Sequence, residues 1–88
     1  MTIRLGHLEF DHVVYDDKAD VLYLSVGEPS EPARQESTPD GHLVRYDEKN
    51  QVTGITLVNA KWLVERDGRI EIPLVVPAEA ADLAPALA

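Results

Sequence analysis

Two stretches of the sequence decide the fold: YDDKADV at residues 15–21 and YDEKNQV at residues 46–52. The second aligns with the first without a gap, 31 residues further along the chain, and Asp17 with Glu48 is a conservative pair. Each stretch is a polar cluster between two apolar runs, which is the pattern of a β-hairpin turn. The sequence leaves open whether the likeness is an internal duplication or the shared chemistry of hairpin turns. Both explanations predict two similar hairpins in one antiparallel sheet.

The runs on either side of these turns alternate in polarity with the two-residue period of a sheet that has one buried face. We assign the strands of the first hairpin to residues 8–14 and 21–26, and those of the second to residues 42–46 and 51–58. His12 falls in the apolar register of its strand, so we interpret it as a core or interface histidine. The pattern predicts consecutive strands in meander order.

The segment between the hairpins, residues 27–41, contains Pro29, Pro32, Pro39, four acids and almost no apolar residue. Prolines fix φ and remove backbone donors, so we expect a Pro-rich acidic surface loop.

After Asn59 the pattern changes. Asn59 is placed to cap a short helix over residues 60–66 with Trp62 and Leu63 facing inward, and Gly68 would end it. The alternative is a hairpin turn at 67–69 with residues 61–66 as a strand.

The last part of the chain predicts two further elements. Residues 69–76 alternate like an edge strand, a possible fifth strand of the sheet, and residues 77–88 form a helical tail that starts at Pro77 and is stopped by Pro85. The expected fold class is therefore α+β: a small antiparallel β-sheet of two consecutive similar hairpins plus the fifth strand, a short helix after the fourth strand and a C-terminal helical turn.

The composition of the chain excludes several classes of protein. The 88 residues fit a single domain over residues 1–88, and the absence of cysteine excludes disulfides and thiolate metal sites. A net charge of −8 argues against nucleic-acid binding, which needs clustered Lys and Arg. No targeting segment or membrane-length apolar run is visible, so we expect a soluble cytoplasmic protein with no membrane partner.

The two hairpins carry a family resemblance. Tyr15-Asp16-x-x-x-Asp20-Val21-Leu22-Tyr23-Leu24, a polar loop, Asp47, Gly54-Ile55 and Asn59-Ala60 follow one another in an order that resembles the small bacterial family called domain of unknown function 2283. The resemblance covers roughly residues 10–62. It departs at Asn50, where the family often has Gly, but Asn tolerates the left-handed backbone that such a turn needs. Some members are encoded beside small toxin-like proteins, so the resemblance implies an acidic partner-binding role.

Catalytic and metal signatures are weak. His7, Glu9 and Asp11 alternate on one predicted strand and could place two ligands on one metal ion, yet the same residues also suit a solvent-facing strand. Asp16, Asp17 and Asp20 fit turn capping better than a calcium loop, because Lys18 lies among them. The serines lack a nucleophile motif and the glycines are scattered, so we assign no catalytic residue and no cofactor.

The function that the sequence favours is a non-enzymatic protein–protein interaction module. One short helix cannot cover both faces of the predicted sheet, so we expect a homo-oligomer, with a dimer favoured. The acidic charge suits a basic protein partner as well, as in an antidote and toxin pair. Tyr23, Tyr46 and Trp62 are the candidate partner-binding residues. The alternative is a small-ligand or metal-dependent enzyme that uses His7, Glu9, Asp11 or His42.

Overall fold

The computed structural model describes residues 1–28, 30–73 and 75–88. It has an α+β fold, as the sequence predicts. The elements in chain order are β1 (Ile3–Leu5), β2 (Leu8–Phe10), β3 (His12–Asp16), β4 (Val21–Ser25), β5 (Arg34–Ser37), β6 (Leu43–Tyr46), β7 (Val52–Val58), α1 (Ala60–Asp67), β8 (Arg69–Ile70), β9 (Ala78–Glu79) and α2 (Ala80–Leu87). Neither helix of the described chain has the length and apolarity that crossing a membrane requires.

The main sheet has five antiparallel strands in the order β3-β4-β7-β6-β5. Both predicted hairpins are present, as β3–β4 and β6–β7. The expected meander order is wrong, because β4 pairs with β7 instead of with the next strand along the chain. Pairing β4 with β7 places the strands with the most buried side chains at the inside of the sheet.

The two hairpins repeat each other in register. In the first, Val13 pairs with Leu24; in the second, Val44 pairs with Ile55, and each residue lies 31 positions after its counterpart. Leu24 and Ile55 are also partners across β4 and β7. The four strands are therefore related by an approximate twofold axis that passes through this pair. A β-bulge between Arg45 and Tyr46 breaks the correspondence near the second turn.

One face of the sheet packs into the core, against the β1–β2 hairpin and both helices. Leu22, Leu24, Ile55 and Leu57 of the two central strands are fully buried there. The N-terminal hairpin, the two helices and the segment between the helices complete the core with Ile3, Leu5, Phe10, Ala60, Ile70, Ile72, Ala78, Leu83, Ala86 and Leu87.

Helix α1 forms where the sequence predicts a helix, so the alternative strand over residues 61–66 is wrong. Its cap differs from the expectation: Asn59 has a left-handed backbone with φ of 54° and makes no capping side-chain bond. Asp20 of the first turn supplies the cap instead, accepting hydrogen bonds from Lys61 N at 2.8 Å and Trp62 N at 3.1 Å. Trp62 does not face inward but is 55% exposed, with Arg66 stacked on its ring.

Three other boundaries differ from the sequence prediction. Part of the predicted 27–41 loop is strand β5, whose four residues are all exposed; Pro29 of that loop lies outside the described residues. The predicted strand over residues 69–76 is reduced to β8, which pairs with β9 in a separate sheet and is not the fifth strand of the main sheet. Leu74 also lies outside the described residues. The last helix does not start at Pro77, because residues 78–79 form β9 and α2 begins at Ala80. Nor does Pro85 stop it: α2 continues to Leu87, because the burial of its apolar side chains compensates for the backbone hydrogen bond that proline removes.

The predicted strand over residues 8–14 is also divided. Residues 8–10 form β2, which pairs with β1 in a separate small hairpin, and residues 12–14 belong to β3. Asp11 lies between them, and its Oδ1 accepts a hydrogen bond from Gly27 N at 2.6 Å.

Candidate functional site

The second face of the main sheet, which we call the open face, is the candidate site. Residues directly opposite each other in antiparallel strands share a face, so the register places its side chains in three rows. The first row is His12, Ser25, Gly54 and Arg45, the second is Val14, Tyr23, Thr56 and Leu43, and the third is Asp16, Val21 and Val58.

Apolar side chains on the open face remain exposed. Val14 is 48% exposed, Tyr23 is 43% exposed and Val26, just beyond the end of β4, is 49% exposed. A groove of about 660 Å³ runs along this face. It is lined by Val14, Val21, Tyr23, Leu24, Val26, Leu43 and Val58 among the apolar residues, and by His12, Ser25, Glu28, Ser30, Arg45, Thr53 and Thr56 among the polar ones.

Arg45 forms the floor of this groove. Its guanidinium lies over Gly54 and donates from Nη1 to Thr56 Oγ1 at 2.8 Å and from Nη2 to Leu24 O at 3.5 Å. A Cβ at position 54 would stand 2.6 Å from Arg45 Nη2, so the missing side chain of Gly54 makes room for the arginine. Burial lowers the pKa of Arg45, and no carboxylate of the described chain forms an ion pair with it.

Glu28 lies at the rim of the same groove, on an anchored corner of the chain. Val26 N donates to Thr53 O at 2.9 Å, and Gly27, with φ of 68°, donates to Asp11. The Glu28 side chain is exposed and makes no hydrogen bond or ion pair within the described residues. The open face thus has a cation on its floor and an anion on its rim that do not pair with each other.

The hydroxyl and imidazole groups of the open face are not arranged as a nucleophile and base. Ser25 Oγ donates to Gly27 O at 3.3 Å, and no hydrogen bond joins Ser25 to His12 among the described residues. His12 is half-buried on this face, which fits the interface alternative of its sequence-based interpretation.

The structure does not bring the metal candidates together. His7 lies in the turn between β1 and β2, Glu9 is on β2 in an ion pair with Arg4 at 2.8 Å, and Asp11 holds Gly27. Across the described residues, no group of three or more His, Asp or Glu side chains is placed to hold a metal ion.

His42, the remaining candidate of the enzyme alternative, is fully buried on the core side of the sheet. Its Nδ1 accepts a hydrogen bond from Val58 N at 3.1 Å, while Nε2 is buried without a partner in the described chain. Burial lowers the pKa of His42, and nearby Asp40 raises it by less, so the imidazole is neutral at pH 7.

The three candidate partner-binding aromatic residues lie in different environments. Tyr23 is on the open face, Tyr46 is buried with Arg34 stacked on its ring, and Trp62 is exposed on α1. Helix α1 packs on the core side, so Trp62 and Tyr23 do not contribute to one surface.

Arg45 is the site residue that sequence reasoning missed. An arginine in an alternating strand is typical of a solvent-facing position, so the sequence pattern does not single out Arg45 as part of a groove. The signal was Gly54, which occupies the position of Tyr23 in the aligned second hairpin. A glycine inside a strand indicates close approach of another group, here the guanidinium.

The fold and the open face define a small α+β domain built on two register-matched hairpins, with one sheet face packed and one uncovered. The family model described as Protein of unknown function (DUF2283) matches residues 12–61, from β3 to the first turn of α1, and the chain belongs to this family. No curated protein and no solved structure matches the chain significantly.

Proposed function

We propose that the protein is a non-enzymatic interaction module that pairs with a second copy of itself through the open face. The observation that carries this proposal is the contrast between the two faces of one sheet. The core face is covered by two helices and a hairpin, whereas the open face leaves Val14, Tyr23 and Val26 between 43% and 49% exposed. A sheet whose second face is also apolar gains stability when another layer covers it.

The shape of the open face favours a second copy as that layer. Tyr23 stands up from the first hairpin, while its counterpart in the second hairpin is Gly54, which leaves a low region floored by Arg45. In a twofold dimer the same patch of both copies forms the interface, so the ridge of each copy can enter the hollow of the other. Tyr23 of one copy over Arg45 of the other would also form a cation–π contact.

The area of the open face indicates how tightly two copies should bind. Five strands spaced about 4.8 Å apart, each about five residues long at about 3.3 Å per residue, give a face of roughly 400 Å². Standard interfaces bury about 800 Å² per partner, so this one belongs with the weaker, reversible class. We therefore expect a dimer that dissociates on dilution.

Sedimentation velocity over about 1 µM to 1 mM tests the proposal. We expect the weight-average mass to rise from monomer to dimer across this range. Tyr23→Lys should hold the protein as a monomer, because it places a charge on the apolar ridge. The matched control is Trp62→Lys, an exposed aromatic on the opposite side of the sheet, which should dimerise like the wild type. A wild-type monomer at 1 mM, or equal effects of the two variants, would overturn the proposal.

A further inference from the structure

Any partner that covers the open face would bury the charge of Arg45. Its guanidinium has five N–H donors, of which two are used by Thr56 and Leu24. It is already partly withdrawn from water and has no counterion among the described residues. Covering an unpaired charge with a second protein layer is strongly unfavourable unless the partner supplies the opposite charge.

The partner's counterion can be identified from the groove itself. Its ionisable lining residues are His12, Tyr23, Glu28 and Arg45, so Glu28 is the one carboxylate of the described lining. Glu28 is exposed and unpaired, and its backbone is held at the rim by the bonds of Val26 and Gly27. It does not form an ion pair with the Arg45 of its own chain.

We propose that Arg45 of each copy binds the Glu28 carboxylate of the other copy, so that two equivalent ion pairs close the dimer. This inference rests on the proposed self-association. A rim carboxylate that forms no ion pair with the arginine of its own groove is free to pair with the arginine of a facing copy. Twofold symmetry then makes the contact twice, and both exposed carboxylates are used. The remaining N–H donors of Arg45 suit a carboxylate, which a guanidinium binds with charge-assisted hydrogen bonds.

A charge exchange tests this pairing by sedimentation velocity. Glu28→Arg opposes Arg45 with a second cation, and Arg45→Glu opposes Glu28 with a second anion, so neither variant should dimerise alone. An equimolar mixture restores two opposite-charge contacts in the heterodimer and should dimerise. The control is Glu31→Arg, an exposed acid outside the groove lining that changes the net charge by the same amount.

We expect Glu28→Arg to raise the dissociation constant of the dimer at least about 30-fold. Glu31→Arg should change it less than about threefold, since exposed charges away from the contact contribute little. Circular dichroism checks that each variant is folded. If Arg45→Glu does not fold, the comparison of Glu28→Arg with Glu31→Arg decides the question alone.

The outcomes separate the two proposals. A wild-type dimer that Tyr23→Lys disrupts but Glu28→Arg leaves intact would overturn the ion pair and keep the self-association. The ion pair is also overturned if the folded single variants stay monomeric when mixed. A wild type that never dimerises removes both proposals at the first step.

Discussion

The two hairpins of the main sheet have the same register and different surfaces. On the core face they carry equivalent apolar pairs, Val13 with Leu24 and Val44 with Ile55. On the open face the first hairpin has Val14 beside Tyr23, whereas the second has Arg45 beside Gly54. The two halves therefore keep the same apolar pattern on the packed face, where the core requires it, and differ on the uncovered face.

The correspondence extends to one hydrogen bond that closes each hairpin. Asp11 Oδ1 accepts from Gly27 N, and His42 Nδ1 accepts from Val58 N. Both acceptors and both donors are 31 residues apart along the chain. The same bond is therefore made by an exposed carboxylate in one half and by a buried imidazole in the other.

The largest expected effect comes from the pair on the approximate twofold axis. Leu24→Ala and Ile55→Ala each remove a fully buried side chain, and each should lower the free energy of unfolding by about 3 kcal/mol. If the halves are equivalent in energy as well as in register, the two costs should agree within about 1 kcal/mol. Urea denaturation at one fixed protein concentration measures both.

The controls for that prediction are Asp17→Ala and Glu48→Ala, the equivalent exposed turn residues. Each should change the free energy of unfolding by no more than about 0.5 kcal/mol. If one of the two core variants lost much less free energy of unfolding than the other, the halves would share a register without contributing equally to stability.

A smaller effect is expected at the turns, where the halves differ. Both oxygens of Asp20 accept hydrogen bonds: Oδ1 from Tyr15 and Lys61, and Oδ2 from Trp62. Asp20→Asn replaces one acceptor by a donor and should cost about 1.5 kcal/mol. The second turn has Gln51 at the position of Asp20. Within the described chain its Asp47 accepts only at Oδ1, from Lys49 and Gln51, much as the equivalent Asp16 does in the first turn, so Asp47→Asn should cost less than about 0.5 kcal/mol.

The difference in stability between the wild type and Asp20→Asn should depend on pH, in a direction set by the pKa of Asp20. Burial raises the pKa of Asp20, but the hydrogen bonds from Lys61, Tyr15 and Trp62 outweigh it and leave the pKa below its usual value. The same arrangement raises the pKa of Tyr15 to about 12, through burial first and then the bond to Asp20. A lowered carboxyl pKa stabilises the fold above the unfolded-state pKa of 3.8. The gap between wild type and Asp20→Asn should therefore close as the pH falls through the folded-state pKa; an unchanged gap at acid pH would contradict this account.

The smallest effect concerns the two equivalent hydrogen bonds that Asp11 and His42 accept from Gly27 N and Val58 N. Burial depresses the pKa of His42 below 6.5, so the unfolded chain binds a proton more readily than the folded one. The contribution of this neutral imidazole to stability is present above pH 6.5 and is lost as the pH falls below it, with a slope of at most about 1.4 kcal/mol per pH unit. His42→Asn keeps an acceptor for Val58 N and should remove this part of the slope, as measured by thermal unfolding between pH 5 and 8.

The matched control for the histidine is Asp11→Asn, which alters the equivalent bond of the first hairpin without removing an imidazole. It should leave the slope near pH 6.5 as it is in the wild type. An unchanged slope in His42→Asn would assign the pH dependence to another group.

The sequence predicted the parts of the fold that depend on local patterns. The alternating runs around residues 15–21 and 46–52 gave both hairpins, and the left-handed turn expected at Asn50 is present with φ of 61°. The pairing of β4 with β7 was not predictable, because all four strands alternate alike and the pattern does not say which of them become neighbours. Strand β5 was missed because its four polar residues have no apolar period.

Contacts between distant residues account for the other errors. The alternation of residues 8–14 continues through Asp11, so the break between β2 and β3 left no trace in the pattern. Asn59 has a side chain that can cap a helix, but the folded sheet places Asp20 at the N-terminus of α1, where it accepts the capping hydrogen bonds instead. On the open face, the exposure of Tyr23 and the partial burial of Arg45 both depend on which strands are neighbours, and local periodicity does not contain that information.

The cap of α1 has a consequence for the order in which the chain folds. Its hydrogen bonds join residues 41 and 42 positions apart, so they cannot form while the chain is extended. A helix of eight residues is marginal by itself in water. The local hairpins can close early, but α1 gains its cap only after the first turn has come beside the end of β7. We therefore expect this helix to form late in folding, so that the gain of helicity follows the docking of the two hairpins.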